Sequence, residues 1–214
     1  TILDYYEGFI LNNFIKKDPS QISLLNSISS SWEHFNDSNI FFSKRKKLGA
    51  YVYGSSGTGK TFILSLFLQF SKVGRKVHFN HLMNNIHEAI NSNKNKEKKL
   101  ESFVRDLSKD IKILFIDELH IFNIVDALII KKVFHLLEEN KIFVMTSSNF
   151  KPYDLYKDGL QRMDFTPFIK HITNKYEVIF VNSNNDYRRL TLNQSKTYFT
   201  PINKDTEDEF KQLF

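Results

Sequence analysis

The stretch Gly54-Ser55-Ser56-Gly57-Thr58-Gly59-Lys60-Thr61 decides which fold this sequence predicts. It matches G-x-x-x-x-G-K-[ST], the pattern of the phosphate-binding P-loop. An apolar strand candidate, residues 50–53, precedes it, and an apolar helix candidate, residues 61–70, follows it. A P-loop folds between a strand and a helix in this order, so we prefer this interpretation to a chance glycine-rich turn.

The residue types in this stretch suit the binding of nucleotide phosphates. Glycine reaches backbone angles that are closed to most residues, so the three glycines let successive N–H groups turn toward a phosphate. The helix that follows adds the positive end of its dipole. We predict that residues 54–61 bind ATP, that Lys60 reaches the β- and γ-phosphates, and that the Thr61 hydroxyl ligates Mg²⁺.

Polar residues end two other strand candidates. Asp117 and Glu118 directly follow the apolar run 113–116, and Asn149 closes the run that begins at residue 142. Ligands of open α/β sheets bind at the carboxyl ends of strands. We therefore predict that Asp117 holds Mg²⁺, that Glu118 is the general base for the attacking water, and that Asn149 contacts the γ-phosphate or that water. By itself, an asparagine in this place is usually a turn residue.

Strand and helix patterns alternate along the rest of the chain. Five strands are predicted, at residues 50–53, 76–83, 111–116, 142–146 and 177–181. Helices are predicted from the spacing of Tyr5, Phe9, Ile10 and Phe14, from that of Leu24, Leu25, Ile28 and Trp32, and at residues 61–70, 84–90, 124–137 and 153–176, the last interrupted near Pro167. The polar segment 91–99 is predicted to be an exposed loop. Alternating strands and helices imply an α/β P-loop NTPase fold, with a parallel five-stranded sheet covered by helices on both faces.

Three parts of the chain are predicted. Residues 1–45 form a helical N-terminal segment packed on the core, and residues 46–183 form the P-loop core. Residues 184–214 form a C-terminal extension, the start of a lid or a tail.

Composition narrows the function classes. The absence of cysteine among 214 residues excludes a disulfide framework and a thiolate metal site. No apolar run reaches the roughly 20 residues that a membrane-spanning helix needs. The net charge of +6 and the pI near 9.3 are compatible with contact to nucleic acid or an anionic membrane, although a lysine-rich solvated surface explains them equally well.

Several stretches together resemble the ZapE-like ATPases, bacterial relatives of the mitochondrial Afg-one (LACE-type) proteins and a branch of the AAA+ ATPases. The matching residues are Asp18-Pro19-x-Gln21, Tyr53 through Thr61, Val77-His78-Phe79-x-His81-x-Met83 with His87, Ile116-Asp117-Glu118-Leu119-His120, Ile124-Val125-Asp126-Ala127, Thr146-Ser147-Ser148-Asn149 with Pro152, Asp154-Leu155-Tyr156, Gly159-Leu160-Gln161-Arg162-x-x-Phe165-x-Pro167-Phe168-Ile169, and Asp186-Tyr187-Arg188. The block that contains Arg162 is the most specific of them.

This resemblance implies an AAA+-like core and further site residues. Asp18 and Gln21 are expected near the adenine, and Arg162 is expected to reach the γ-phosphate bound by a neighbouring subunit; the alternative for Arg162 is an ion pair with Asp158 or Asp164. The resemblance further implies a homo-oligomer when active, a protein partner such as a component of the bacterial division ring, and a bacterial cytoplasmic protein, peripheral to the membrane or not, or a mitochondrial matrix protein in a eukaryote.

The sequence departs from the family pattern in two places. The family commonly has phenylalanine after the acid pair and arginine after the asparagine, and this chain has Leu119 and Phe150. His78, His81 and His87 are interpreted as structural or surface residues rather than as a metal site or a contact to substrate, with two of them on the second predicted strand.

The predicted function is therefore ATP hydrolysis with ATP and Mg²⁺, coupled to a protein partner. Three alternatives remain at this point: a DNA-linked AAA+ ATPase of the helicase-loader type, a P-loop kinase of small molecules, and a nucleotide-gated binding module with negligible turnover. A D-E-x-H helicase is set aside, because such helicases need two motor domains.

Overall fold

The computed structural model describes residues 1–12, 15–37, 47–91 and 95–182. Its strands are β1 (Gly49–Tyr53), β2 (Gly74–His78), β3 (Ile113–Asp117), β4 (Phe143–Ser148) and β5 (Tyr176–Phe180). Its α-helices are α1 (Ile2–Leu11), α2 (Pro19–Asn36), α3 (Lys60–Ser71), α4 (Phe79–Ile90), α5 (Lys96–Leu107), α6 (Ile124–Glu139) and α7 (Arg162–Lys175), and a 3₁₀ turn spans Pro152–Asp154.

The five strands form one parallel sheet in the order β2-β3-β4-β1-β5. The strand that ends in the acids, β3, therefore lies one strand away from β1, with β4 between them. All three strands run parallel, so the P-loop, Asp117 and Asn149 emerge at the same edge of the sheet. The predicted fold class is confirmed.

Alternate residues of each central strand enter two different cores. On one face, Leu114 and Ile116 pack with helices α4, α5, α6 and α7. On the other, Ile113 and Phe115 pack with α1, α2 and α3. All four side chains are fully buried. Burial on both faces explains why β3 is a continuous apolar run rather than an alternating one.

The two N-terminal helices lie on the second of these faces. Leu24, Leu25 and Ile28 of α2 are buried there, as are Ile2 and Tyr6 of α1. The helical N-terminal segment is confirmed, while Phe14 lies outside the described residues. Both predicted domain boundaries also fall at residues that the structure does not describe, and the division into three parts stays a prediction.

The strand predicted at residues 76–83 is wrong in its second half, because β2 ends at His78 and α4 begins at Phe79. The His78 ring caps the helix by accepting the N–H of Asn80 through Nδ1 at 3.3 Å. The buried residues that follow, Phe79, Leu82, Met83 and Ile86, have helical spacing. His81 therefore lies on α4 and not on a strand, and His87 lies on the same helix, as predicted.

Two other predictions of local structure are corrected. The segment 91–99 is not a loop throughout, because α5 starts at Lys96 and Glu97 forms an ion pair with Lys132 of α6. The region 153–176 is helical only from Arg162 onward, and α7 passes through Pro167 without a break. Only the first turn and a half of α7 precede Pro167, so the missing N–H removes a single helical hydrogen bond near the helix start.

Within the described ranges, no helix combines the length and the apolar character that crossing a bilayer requires.

Candidate nucleotide site

The phosphate loop is held in an unusual backbone shape at both of its ends. Gly59 has φ +82°, in the left-handed region, and it forms the N-cap of α3. Gly54 has φ +155°, and a Cβ there would lie 2.1 Å from the carbonyl oxygen of Val181. Glycine is needed at Gly59 for conformation and at Gly54 for the close approach of the neighbouring strand.

The amine of Lys60 lies inside this loop. Its Nζ donates to the carbonyl oxygens of Gly54 at 2.8 Å and Ser55 at 2.7 Å, and it lies 3.3 Å from Oδ1 of Asn149. Lys60 is buried. The Lys60 ammonium group is therefore placed to contact an anion bound in the loop. Asn149, at the end of the neighbouring strand β4, lies within hydrogen-bond distance of the same ammonium group.

Asp117 joins the loop helix to the centre of the sheet. Its Oδ1 accepts hydrogen bonds from the hydroxyls of Thr61 at 2.8 Å and Ser147 at 2.5 Å. Its Oδ2 lies 2.9 Å from Nζ of Lys76 on the edge strand β2. Burial would raise the pKa of Asp117, but the hydrogen bonds from Ser147, Lys76 and Thr61 and the charge of Lys76 outweigh it, so the pKa lies below its usual value. Asp117 is therefore a carboxylate at neutral pH.

The side chain of Glu118 lies against the end of the edge strand β2. It adopts φ +56°, which is rare for a residue with a side chain, and its backbone N–H donates to Oγ of Ser147 at 2.9 Å. Its Oε2 lies 3.0 Å from Nε2 of His78. Because Nδ1 of His78 accepts the helix-cap hydrogen bond, the proton of the neutral ring is on Nε2, which donates to Glu118.

Most of the predicted residues of the phosphate site line one cavity of about 440 Å³, and Asp117, which is not in the lining, lies behind it in contact with Thr61 and Ser147. Its lining includes Gly57, Lys60, Thr61, Glu118 and Asn149. The structure thus brings together the loop, the predicted base and the amide from three separate parts of the chain.

Arg162 does not line this cavity; it lies half-buried at the start of α7. Its guanidinium donates to the carbonyl oxygens of Tyr153 at 2.6 Å and Leu155 at 3.2 Å. These bonds go to backbone and not to Asp158 or Asp164, both of which the structure describes, so the alternative of an ion pair with either acid is wrong. The two carbonyls fix the arginine without neutralising its charge.

Asp18 and Gln21, both described and both buried, also lie outside the lining of the cavity. Asp18 caps α2 by accepting from the N–H and the hydroxyl of Ser20. Oε1 of Gln21 accepts the hydroxyl of Tyr6 at 2.9 Å. These contacts join α1 to the start of α2, and a role near the adenine stays a prediction.

The three histidines have separate partners. Oδ1 of Asp126 lies 2.7 Å from Nε2 of His87, and Asn85 lies 3.4 Å from Nε2 of His81. In the described part of the chain, no group of three or more histidine and acidic side chains is arranged to hold a metal ion.

Sequence reasoning did not find three residues that contact the acid pair: Lys76, His78 as the partner of Glu118, and Ser147. Lys76 and His78 are two apart on a strand, so their side chains point to the same face. The register places His78 opposite Asp117. Strand spacing was the available signal, but it needed the pairing of β2 with β3 to become informative.

The donor set fits Mg²⁺ with a bound nucleotide. A hydroxyl oxygen and a carboxylate oxygen, from Thr61 and Asp117, lie 2.8 Å apart. Oxygen donors with few protein ligands suit a magnesium ion that keeps part of its water shell. The backbone N–H groups of the loop and the Lys60 ammonium suit the phosphates.

Comparison with known proteins agrees with this geometry. The fold and the loop define a P-loop NTPase. The family model described as AFG1-like ATPase matches residues 19–214, and the chain belongs to this family. Among its relatives, Cell division protein ZapE of Escherichia coli K12 is 30% identical over 168 residues, which are 78% of this chain and 45% of that protein. Lactation elevated protein 1 homolog B of Danio rerio is 30% identical over 180 residues, 78% of this chain and 36% of that protein. The chain spans less than half the length of these relatives.

Solved structures show the same fold at low identity. The crystal structure of DnaI has a TM-score of 0.56 at 18% identity and covers 81% of this chain and 87% of that one. DnaA from Aquifex aeolicus, bound to AMPPCP, has a TM-score of 0.56 at 15% identity, with 91% of this chain and 57% of that one covered. At these identities the likeness is one of fold.

Proposed function

We propose that this protein hydrolyses ATP to ADP and phosphate and couples the turnover to a protein partner. The observation that carries the proposal is the hydrogen bond between Thr61 and Asp117, with Glu118 and Asn149 beside the same phosphate loop. A loop that only bound phosphate would not need the two carboxylates that lie at the end of β3.

The residues divide the chemistry among them. The loop N–H groups and Lys60 bind the phosphates, and Asn149 orients the γ-phosphate or the attacking water. The carboxylate of Glu118 accepts a proton from that water. Mg²⁺, held by Thr61 and Asp117, supplies positive charge to the phosphate oxygens when it is bound. In the present arrangement Oε2 of Glu118 lies 3.0 Å from Nε2 of His78, and the other oxygen of a carboxylate can accept a hydrogen bond from a water at the same time.

Arg162 is proposed to complete the site of a neighbouring subunit. It lies outside the cavity of its own chain, yet its guanidinium is fixed by two carbonyls and keeps its charge. An arginine that approaches a transferring phosphoryl group from outside stabilises the negative charge of the transition state. On this proposal the active form is a homo-oligomer.

The partner is proposed to be a protein, as the name of the relative Cell division protein ZapE suggests for that protein. A role at the bacterial division ring and a cytoplasmic location belong to the same proposal. Asp18 and Gln21 are proposed to act near the adenine by shaping the segment that leads into α2.

The test is ATPase activity measured against protein concentration for the wild type and four variants. We expect Lys60→Ala to lose nucleotide binding and Glu118→Gln to bind ATP without turnover. Arg162→Ala is expected to bind ATP and to hydrolyse it at least about a hundredfold more slowly. Arg105→Ala, which changes an exposed arginine of α5, is the matched control and should behave as wild type.

Mixing distinguishes an arginine that acts on its own chain from one that acts on a neighbour. Lys60→Ala and Arg162→Ala subunits, each inactive alone, should regain activity together, because one supplies the loop and the other supplies the arginine. Normal hydrolysis by Arg162→Ala at every concentration would show that the assignment of Arg162 is wrong. A wild type that binds ATP but never releases phosphate would favour a nucleotide-gated binding module, and transfer of phosphate to a metabolite would favour a kinase.

A further inference from the structure

Three aromatic rings, one exposed and two half-buried, form a group next to the nucleotide site. The His120 ring lies 3.8 Å from the Phe122 ring and 4.4 Å from the Phe150 ring, measured between centroids. The side chain of Phe122 is 72% exposed. A single exposed phenylalanine is unremarkable, but a contiguous aromatic surface marks an interaction site more often than chance.

These rings border a second cavity of about 440 Å³, which we call the aromatic groove. Tyr156 and Gly159 form part of its lining, together with the charged residues Asp154, Lys157 and Asp158. Burial lowers the pKa of His120, so its ring is neutral near pH 7 and adds to the apolar surface. The groove thus combines an apolar wall with carboxylates at its margin.

The charges of the groove decide between two classes of macromolecule. Its lining has two carboxylates and one ammonium, and Asp154 lies 3.6 Å from Lys151. Among these described residues no excess of positive charge is present to replace the counterions of a nucleic-acid backbone. Asp158 is exposed, and it forms no ion pair with another described residue. It is therefore placed to meet a cation on a partner.

The groove is tied to the catalytic residues through hydrogen bonds. The Ser148 hydroxyl donates to the carbonyl of Leu119 at 2.8 Å and accepts the N–H of Phe150 at 3.1 Å. The hydroxyl of Tyr51 donates a hydrogen bond to the carbonyl oxygen of Phe150 at 2.8 Å. The two loops that bear the rings are thereby joined to each other. Because Glu118 precedes Leu119 directly, displacement of these loops also displaces the base.

We propose that the aromatic groove binds an extended polypeptide segment in which an aromatic or aliphatic side chain stands beside a lysine or arginine. The apolar side chain packs on Phe122, His120 and Phe150, and the basic one pairs with Asp158. This partner class deepens the proposed coupling of ATP turnover to a protein and rests on it. Binding in the groove should stimulate hydrolysis, since the loops that hold the rings also carry the catalytic groups.

The probe is a short fluorescein-labelled peptide that alternates lysine and phenylalanine between serine spacers, measured by fluorescence anisotropy with and without ATP. A matched peptide has glutamate in place of lysine, and a labelled oligo-dT tests nucleic acid. We expect the wild type to bind the lysine peptide at least about tenfold more tightly than the glutamate peptide.

Two variants test the groove itself. Phe122→Ala removes a side chain that is mostly exposed, so it should leave folding and basal ATPase activity intact while weakening the lysine peptide about tenfold. Asp158→Lys should weaken the lysine peptide and strengthen the glutamate peptide. The control is Phe70→Ala, which removes a 44% exposed phenylalanine near the C-terminal end of α3. This variant should bind the lysine peptide as the wild type does.

The inference is overturned if Phe122→Ala binds the lysine peptide as well as the wild type does, or if Asp158→Lys leaves the preference between the peptides unchanged. Tighter binding of oligo-dT than of either peptide, lost in Phe122→Ala, would assign the groove to nucleic acid instead. Peptide binding that depends on Phe122 in a protein without ATPase activity would support the groove and contradict the proposed hydrolysis, so the two failures are distinguishable.

Discussion

Replacing Lys76 by methionine should destabilise the protein in a way that depends on pH. Lys76 and Asp117 form an ion pair at 2.9 Å, in which the lysine side chain is 39% exposed and the aspartate side chain 7%. Two unit charges about 4 Å apart attract by about 1 kcal/mol in water and about 4 kcal/mol at an effective dielectric constant near 20. Solvent screening at the lysine end lowers the second figure, so we expect a loss of about 1–2 kcal/mol.

The sign of the pH effect follows from Asp117. Its pKa is lowered in the folded protein, so the stabilisation is present above the pKa of the unfolded chain, about 3.9, and is lost as pH falls through the folded value. The difference in the free energy of unfolding between the wild type and Lys76→Met should therefore be full at pH 7 and shrink below about pH 4.

Urea denaturation followed by circular dichroism, at pH 7 and below about pH 4, measures this difference in the free energy of unfolding. Lys109→Met is the control, because its Nζ lies 2.7 Å from Asp106 but both side chains are exposed, and no measurable change is expected. Equal stability of Lys76→Met and the wild type at pH 7, or a difference that persists unchanged in acid, would contradict the role given to the ion pair of Lys76 with Asp117.

Three further substitutions test the packing around the site. Tyr6→Phe removes the hydroxyl that donates to Gln21 in a buried position, and it should cost about 1–3 kcal/mol in urea denaturation. Gly54→Ala should abolish nucleotide binding and lower the melting temperature, because the new Cβ would lie 2.1 Å from the Val181 carbonyl. Gly8→Ala lies on a helix, and outside its own helix backbone no atom of the described residues lies within 4 Å of the new Cβ, so it should instead stabilise the protein by about 0.5–1 kcal/mol.

A control variant and a contradicting outcome can be named for these substitutions. Tyr5→Phe alters a partly exposed tyrosine of the same helix and should leave the stability unchanged. A loss in Tyr5→Phe as large as that in Tyr6→Phe would contradict the role given to the buried hydrogen bond. Nucleotide binding by Gly54→Ala at wild-type affinity would contradict the close approach of Val181, and a destabilised Gly8→Ala would contradict the open space beside α1.

The central parts of the site could be predicted from sequence because their signals are local. The phosphate loop is contiguous, and Asp117 follows a strand that is apolar on both faces. Such patterns can be recognised in the sequence without knowing which strands pair in the sheet. The order of the sheet then brought Asn149 next to the loop, as expected for strands that end at one edge.

The residues that escaped prediction depend on contacts between distant segments. Lys76 is one of several polar residues in a mixed stretch, and its role becomes visible only when β2 pairs with β3 and brings it to Asp117. The boundary at His78 was not predicted because Phe79 continues the alternation of polar and apolar residues that begins at Lys76. A histidine ring that caps a helix has no distinct sequence signal. Ser147 was included in the motif, yet only the folded sheet shows that its hydroxyl donates to the carboxylate of Asp117.

The contact between Gly54 and Val181 offers a spectroscopic handle on the phosphate loop. Val181 donates its N–H to Tyr53 at 2.8 Å, and the exposed Asn182 comes next in the chain. The sequence has no cysteine, so Asn182→Cys would carry a thiol dye at a unique position. When a nucleotide binds in the loop, a shift of the Gly54 backbone would displace the Val181 backbone that lies against it. The emission of the dye at residue 182 would then report nucleotide binding in real time.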